Sequence, residues 1–154
     1  MKPSLKPGLT FEFQFPVTMD RTVPALLPDA PEFQLMPGVL ASGYMVGLIE
    51  WACIQAVNPH LDWPREQTVG IDFQLNHSAA TPPGLTVTVK GRLENVEGRK
   101  LTFSVLAADE FDQISQGFHH RFVIDAAKFN AKAAAKEAQL NGSRKTAGDA
   151  AKKL

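Results

Sequence analysis

Polar and apolar positions alternate in several segments of the chain, as they do in half-buried β-strands. In residues 9–17 the apolar positions are three phenylalanines, Phe11, Phe13 and Phe15, and most of the intervening side chains are polar. Four further strand-like segments follow later in the chain, at residues 67–79, 85–96, 100–110 and 114–125. The short turn sequences TPPG, EGR and FDQ separate them. Consecutive strands with short connections predict an antiparallel sheet.

Residues 39–57 have a different pattern, because they predict a helix that is apolar on nearly every side. A helix of this kind is typically enclosed by other elements. Gly43 and Gly47 are four residues apart and therefore share a face, which permits close approach of another backbone. The helix is expected to end near Asn58. Glu50 is the only charged residue within it.

Between the first strand and the helix, residues 18–38 contain too many prolines for one regular element. They also carry apolar side chains that are unusual in a solvated linker, among them Val23, Leu26, Phe33 and Met36. We expect this segment to pack as a flap over a site.

The order of these elements, strand, flap, helix and four strands, predicts the α+β class. A curved antiparallel sheet wrapped around a long central helix would cover most of the apolar helix surface, and a second chain could cover the rest. This is the hotdog architecture, whose domains are normally dimers.

Composition and charge divide the chain into two parts. With 154 residues, 44% of them hydrophobic and 21% charged, it suits one globular domain. Residues 1–126 carry 9 Lys and Arg against 14 Asp and Glu, whereas residues 127–154 carry 7 against 2. We expect a hotdog domain over 1–126 and a basic tail over 127–154, with a short surface helix at 128–142 and a disordered end. The acidic body argues against nucleic-acid binding.

The sequence also predicts the cellular location of the protein. No apolar run reaches the ~18 residues that span a bilayer, and the N-terminus lacks the pattern of a signal peptide, so no membrane association is expected. The single cysteine, Cys53, has no intrachain disulfide partner and fits a reducing compartment. The expected location is the cytoplasm.

Glu50 is the first candidate for chemistry, since a carboxylate in an apolar helix is costly unless it is paired. It can be structural, paired with an arginine in the core, or it can be a desolvated base or nucleophile. Ser42, at the start of the helix, can be the N-cap or can hold a substrate or water there. Eight residues of helix separate the two by about 12 Å, so they cannot touch within one straight helix.

His77 is the best candidate to bridge Ser42 and Glu50, because a Glu–His pair can activate water and protonate a leaving group. His119 and His120 are adjacent on a strand and face opposite ways. One cysteine and no HxH or HxxxH spacing leave a metal site unsupported. The chain also lacks GxSxG, P-loop and GxGxxG motifs.

Four blocks, LASGYMVGLIEWAC, HSAATPPGLTVTV, VEGRKL and KFNAK, occur in this order. With them, residues 9–132 closely resemble the fluoroacetyl-CoA thioesterase family of hotdog enzymes. The resemblance implies a homodimer that hydrolyses acyl-CoA thioesters without metal or cofactor. It implies that Glu50 is the nucleophile or general base, that His77 is its acid/base partner, and that Ser42 positions substrate or water. Gly70 matches a family glycine whose backbone N–H lies near the thioester carbonyl.

The resemblance further implies that the flap is a hydrophobic lid, formed here by Val23, Leu26, Phe33 and Met36. Two positions depart from the family pattern, because Ser42 replaces a threonine and Met36 replaces a phenylalanine of the fluoroacetyl-specific enzyme. Serine lacks the methyl group that restricts threonine, and methionine is more adaptable. One methyl group is worth only about 1–3 kcal/mol of discrimination. The expected substrate is therefore a short-chain acyl-CoA, with fluoroacetyl-like groups among the candidates.

Two other functions fit the residues. A hotdog hydratase or dehydratase would use Asp72 with His77, but a separation of five puts them on opposite faces of a regular strand. In a non-catalytic dimer that binds acyl-CoA, Glu50 would be structural.

Overall fold

The computed structural model describes the backbone of residues 1–151 and the side chains of residues 1–140. The strands in this part of the chain are β1 (Thr10–Pro16), β2 (Glu66–Leu75), β3 (Thr86–Glu97), β4 (Lys100–Ala108) and β5 (Gln113–Asp125). The α-helices are α1 (Val23–Leu26), α2 (Pro31–Gln34), α3 (Ser42–Val57) and α4 (Ala126–Ala151). The strands and the central helix predicted from the sequence are all present, with ends that differ by only a few residues.

All neighbouring strands are antiparallel, in the order β1-β3-β4-β5-β2, so β1 and β2 form the edges of the sheet. The register places Phe13 of β1 opposite Val89 of β3. Strand β2 is irregular, because its register against β5 shifts between Gly70 and Asp72. The bulge at Ile71 changes which side chains of β2 face the helix.

The core lies between α3 and one face of the sheet. The helix contributes its buried residues Met45, Leu48, Ile49, Ala52, Cys53 and Val57. The sheet contributes apolar side chains that alternate along the strands, among them Val87, Val89, Leu93, Leu101 and Phe103. This is the predicted hotdog arrangement of an antiparallel sheet around a long helix.

One side of α3 is left open by the sheet. Gly47 has no other atoms within 4 Å of the position where a Cβ would lie, and Trp51 is 48% exposed. The side chain of Glu50 is 33% exposed. A single chain therefore does not enclose the helix completely.

The flap consists of a 3₁₀ turn and the short helices α1 and α2. It contacts α3 through Leu26, whose Cδ2 would lie 3.0 Å from a Cβ at Gly43. Leu35 and Met36 extend into solvent, and they are 89% and 52% exposed. The beginning of the flap thus packs on the helix, and its end does not.

Helix α4 is longer than the predicted helix at 128–142, because it continues through part of the segment that was expected to be disordered. Residues 152–154, the rest of that segment, lie outside the described residues. The side chains of residues 127–140 are all exposed. No helix in the described part of the chain is long and apolar enough to span a membrane.

Candidate active site

The hydroxyl of Ser42 and the ring of His77 form a hydrogen-bonded pair. Ser42 is the first residue of α3, and His77 lies shortly after the end of β2. The distance between Ser42 Oγ and His77 Nδ1 is 2.8 Å. The expectation that Ser42 is the N-cap is wrong, since Ala41 occupies that position and no side chain caps the helix. The Ser42 hydroxyl instead forms a hydrogen bond with His77.

The other ring nitrogen of His77 is buried and has no hydrogen-bond partner among the described residues. Burial lowers the pKa of His77, and a contact with the backbone of Ala79 opposes this effect in part. Burial therefore favours the neutral imidazole, which can accept a proton. Its free nitrogen is available to a group that the isolated chain does not supply.

The pair lines a cavity of about 290 Å³ beneath the beginning of the flap. The other lining residues are small or apolar: Val23, Val39, Leu40, Ser78, Ala79 and Ala80. Of the predicted lid residues, Val23 lies at this cavity and Leu26 lies on Gly43 of α3. No contact of Phe33 or Met36 with the pair is present in the single chain. A larger groove of about 1240 Å³ crosses the sheet elsewhere and includes neither Ser42 nor His77.

Glu50 belongs to a second group of residues. Its Oε1 accepts a hydrogen bond from Nη1 of Arg121, on β5, at 2.9 Å. Arg121 is only 1% exposed, and its Nε and Nη2 donate to the side chain and the backbone carbonyl of Thr68. The carboxylate is thus partnered by a buried arginine, as the structural interpretation of Glu50 requires. A partnered carboxylate can still react, because one third of its side chain is exposed.

Gly70 lies directly beneath the carboxylate. A Cβ at this position would be 2.5 Å from Oε1 of Glu50 and 3.2 Å from Cε1 of His119. Real Cβ atoms essentially never come closer than 3.0 Å to another heavy atom, so the contact with Oε1 could not form without movement. The glycine is therefore needed for Glu50 to occupy its place, which is a reason for Gly70 beyond the backbone N–H implied by the resemblance.

The predicted site residues are not brought together within one chain. Ser42 and Glu50 are eight residues apart on one helix, which corresponds to about 12 Å along its axis. His77 contacts Ser42, whereas Glu50 contacts Arg121. The expected bridge from Ser42 through His77 to Glu50 therefore does not form in the isolated chain.

Sequence reasoning missed Arg121, Thr68 and His119. It considered an arginine partner for Glu50 without naming one. The alternation of β5 could have identified His119 and Arg121. The two residues are two apart, so they share the face of the sheet that the helix covers, while their neighbours point away from it. Cys53 is a core residue as expected, and burial raises the pKa of its thiol to about 12.

His119 and His120 do face opposite ways, since His119 is fully buried and Nδ1 of His120 lies 3.1 Å from the carboxylate of Asp72. Asp72 is thus paired on the outer face of the sheet and does not meet His77. Among the described side chains, no three His, Cys, Asp or Glu residues are grouped so that they could hold a metal ion.

An antiparallel sheet wrapped around a long helix defines the class of hotdog-fold proteins, and comparisons with known proteins agree. The family model described as fluoroacetyl-CoA-specific thioesterase (FlK) matches residues 18–127. The fluoroacetyl-CoA thioesterase of Streptantibioticus cattleyicolor is 48% identical over 132 residues, which cover 86% of this chain and 94% of that protein. The chain belongs to the fluoroacetyl-CoA-specific thioesterase family and is a thioester hydrolase by class.

Solved structures extend this similarity. A structure of the fluoroacetyl-CoA thioesterase superimposes with a TM-score of 0.83, covering 86% of this chain and 97% of that chain at 48% identity. A threonine-to-serine variant of the same enzyme has been solved in complex with acetyl-CoA, with the same TM-score. A thioesterase superfamily member from Thermus thermophilus is 26% identical, with a TM-score of 0.80 and coverage of 92% and 99%.

Proposed function

We propose that this protein is a homodimeric thioesterase that hydrolyses a short-chain acyl-CoA to the free acid and CoA. We further propose that each site uses Ser42 and His77 of one chain and Glu50 of the other. The observation that carries the proposal is the hydrogen bond between Ser42 Oγ and His77 Nδ1, in a cavity lined otherwise by small and apolar side chains. Family membership supports acyl-CoA as the class of substrate.

The role of His77 follows from its two nitrogens. When Nδ1 accepts the hydroxyl proton of Ser42, Nε2 carries the ring hydrogen. As the C–S bond breaks, Nε2–H can donate its proton to the departing CoA thiolate, and the ring regains a proton from the attacking water. The lowered pKa suits this cycle, because burial favours the uncharged ring before each turnover.

Glu50 acts as the general base for water or as the nucleophile, and in either role its carboxylate must point at the thioester carbonyl. The hydrogen bond from Arg121 fixes one oxygen, Oε1, and leaves the other available. Because the side chain is partly exposed on the open side of α3, a second molecule can reach it. Gly70 leaves the space that this arrangement requires.

The homodimer is supported by the open side of α3. In a two-fold symmetric pair, residue i meets residue j and residue j meets residue i. In such a dimer the α3 helices of the two chains would run antiparallel, with the two-fold axis passing beside residue 46. Because residue 46 is midway between Ser42 and Glu50, Ser42 of each chain would lie opposite Glu50 of the other. Gly43 and Gly47 flank that axis, and Gly47 has free space where the second backbone would approach.

Substrate preference is expected to depend on Ser42 and Met36. The threonine-to-serine variant of the relative was solved with acetyl-CoA, so serine at the hydroxyl position is compatible with a bound acyl-CoA in that enzyme. We propose acetyl-like and other short acyl groups as the first substrates to test, with fluoroacetyl-CoA among them. We also propose a cytoplasmic location, where the lone buried Cys53 would remain reduced.

Hydrolysis of a panel of thioesters tests the proposal. The panel contains acetyl-, fluoroacetyl-, branched short-chain and aromatic acyl-CoA, each with wild type, Glu50→Gln and the exposed control Glu12→Gln. We expect one preferred substrate, a loss of kcat of at least ~10²-fold in Glu50→Gln, and no change in the control. Binding of acyl-CoA without hydrolysis by the wild type would instead support the non-catalytic alternative.

A further inference from the structure

Arg121, the hydrogen-bond partner of Glu50, makes further contacts on two sides of its guanidinium group. On one side Arg121 donates two hydrogen bonds to Thr68. Its Nε donates to the Thr68 hydroxyl at 2.9 Å, and its Nη2 donates to the Thr68 backbone carbonyl at 2.8 Å. On the other side Nη1 lies 2.9 Å from Oε1 of Glu50 and also 2.9 Å from Nε2 of His119. The two hydrogens of Nη1 are therefore shared between the carboxylate and the imidazole.

The contacts of His119 determine where its proton lies. A guanidinium nitrogen can only donate, so Nε2 of His119 must be an acceptor. Nδ1 lies 3.1 Å from the backbone carbonyl of Asp72, which can only accept, so Nδ1 carries the hydrogen. His119 is thus a neutral imidazole in the Nδ1–H form, with both nitrogens occupied.

The surroundings keep the ring in this state. The ring of Phe73 stacks on it, with centroids 4.4 Å apart and planes inclined by 15°. Burial lowers the pKa of His119 to about 4, with smaller effects from the Asp72 carbonyl and from Arg121, Glu50 and His120. A protonated ring would direct an Nε2–H at the Arg121 donor, which would break the contact.

We infer that His119 is a positioning residue for hydrolysis: its Nε2 accepts from Arg121 and so directs the second Nη1 hydrogen at Glu50. The inference rests on the proposed catalytic role of Glu50. Without an acceptor at this position, a buried Arg121 donor would be left unpaired. The guanidinium would then turn toward another acceptor, and the carboxylate would lose its fixed orientation.

Two conservative variants separate the two nitrogens of His119. In His119→Gln the amide oxygen can occupy the place of Nε2, so the acceptor for Arg121 is kept. In His119→Asn the amide occupies the place of Nδ1, so the contact with the Asp72 carbonyl is kept and the acceptor is lost. We expect His119→Gln to retain kcat within about 3-fold, and His119→Asn to lose at least ~10-fold, the effect of one unpaired buried donor.

The loss in His119→Asn should fall on kcat and leave KM nearly unchanged, because Glu50 acts on the reacting carbonyl and not on CoA. Asn is one methylene shorter than Gln, so a residue that only supports packing would lower the melting temperature of His119→Asn without a selective loss of kcat. Circular dichroism and melting temperature establish that both variants are folded. Nitrogen-15 NMR of the wild type provides a measurement without substitution, in which Nδ1 of His119 should carry the hydrogen and Nε2 should not.

The outcomes separate this inference from the proposed function. If Glu50→Gln is fully active, the proposed role of Glu50 fails, and the inference fails with it. If Glu50→Gln is inactive but His119→Asn matches His119→Gln in kcat, only the inference fails. An Nε2–H form of His119 in the NMR spectrum would also overturn it, whatever the kinetics of the variants.

Discussion

Ser42 and Glu50 lie on the same helix but belong to different hydrogen-bonded groups. The hydroxyl of Ser42 is 2.8 Å from Nδ1 of His77, whereas the carboxylate of Glu50 is 2.9 Å from Nη1 of Arg121. If the proposed site is correct, one chain carries two incomplete half-sites, Ser42 with His77 and Glu50 with Arg121, about 12 Å apart along α3. Symmetric pairing of two chains can complete both.

Complementation between inactive variants tests this directly. Ser42→Ala and Glu50→Gln are each expected to be inactive as homodimers. A heterodimer of the two keeps one intact site, composed of Ser42 from one chain and Glu50 from the other. A randomly exchanged equal mixture should recover about one quarter of wild-type activity, since half of the dimers are mixed and half of their sites are intact.

Co-expression of the two variants with different affinity tags gives the heterodimer even if subunits exchange slowly. The pair Ser42→Ala and His77→Ala is the matched control, because both changes remove the same half-site and their heterodimer has no intact site. Recovery in the control as well, or in neither mixture, would contradict a site shared between chains.

Gly70→Ala is expected to inactivate the enzyme through the position of Glu50. The added methyl would meet Oε1 of Glu50 at 2.5 Å and the edge of Phe73 at 2.9 Å. The carboxylate is the more mobile neighbour and would move away from Arg121. We expect kcat to fall by at least ~10-fold, as misplacement of a catalytic group by about 1 Å can do. Gly38→Ala is the matched control, because nothing lies within 4 Å of its Cβ position, and it should keep its activity.

How much of this site was predictable depends on how local each feature is. Alternation placed Phe11, Phe13 and Phe15 on one face of β1, and helix geometry alone separated Ser42 from Glu50. Both follow from periodicities of a few residues. The identity of the chemistry came from resemblance, because no spacing in the chain specifies a thioester.

The bulge at Ile71 was not predictable, because it exists only in the pairing of β2 with β5. It allows both Gly70 and Phe73 to face the helix, while Asp72 turns outward to His120. For the same reason, the arginine that partners Glu50 could not be chosen from the sequence. The length of α4 was underestimated because helix propensity alone does not define where an exposed helix ends.

Arg121→Met should be more destabilising than Glu50→Gln. Removing the guanidinium leaves both acceptors of Thr68 and Nε2 of His119 without their partner. We expect a loss of about 2–4 kcal/mol in the free energy of unfolding. Glutamine at position 50 can still accept from Arg121 but no longer balances its charge, so Glu50→Gln should cost about 1–2 kcal/mol. Urea denaturation of both variants measures the difference, and equal losses would contradict it.

The basic tail is expected to be dispensable for the domain. The side chains of residues 127–140 are exposed, and the family resemblance ends near residue 132. A chain ending after Lys132 should melt within about 2 °C of the full-length protein, as changes confined to exposed positions usually do. If KM for acyl-CoA rises on truncation at low salt only, the lysines of α4 contribute to attraction of the CoA phosphates.

His119 should make the stability of the protein depend on pH on the acidic side. Its pKa is lowered from 6.5 to about 4 in the folded chain, so between these values the unfolded chain binds a proton that the folded chain does not. The contribution of His119 to the free energy of unfolding is therefore fully present above pH 6.5 and is lost as the pH falls toward 4. The loss should be roughly 3 kcal/mol.

Free energies of unfolding at pH 7, 5.5 and 4.5 for wild type and His119→Gln isolate this contribution. Glutamine does not titrate, so the variant should have the shallower slope, although His77 leaves part of it because its pKa is lowered as well. Carboxylates such as Asp109, whose pKa is also lowered, affect both proteins equally and cancel in the comparison. Parallel slopes in this range would mean that folding does not lower the pKa of His119, which would contradict a ring kept neutral by its contacts with Arg121 and the Asp72 carbonyl.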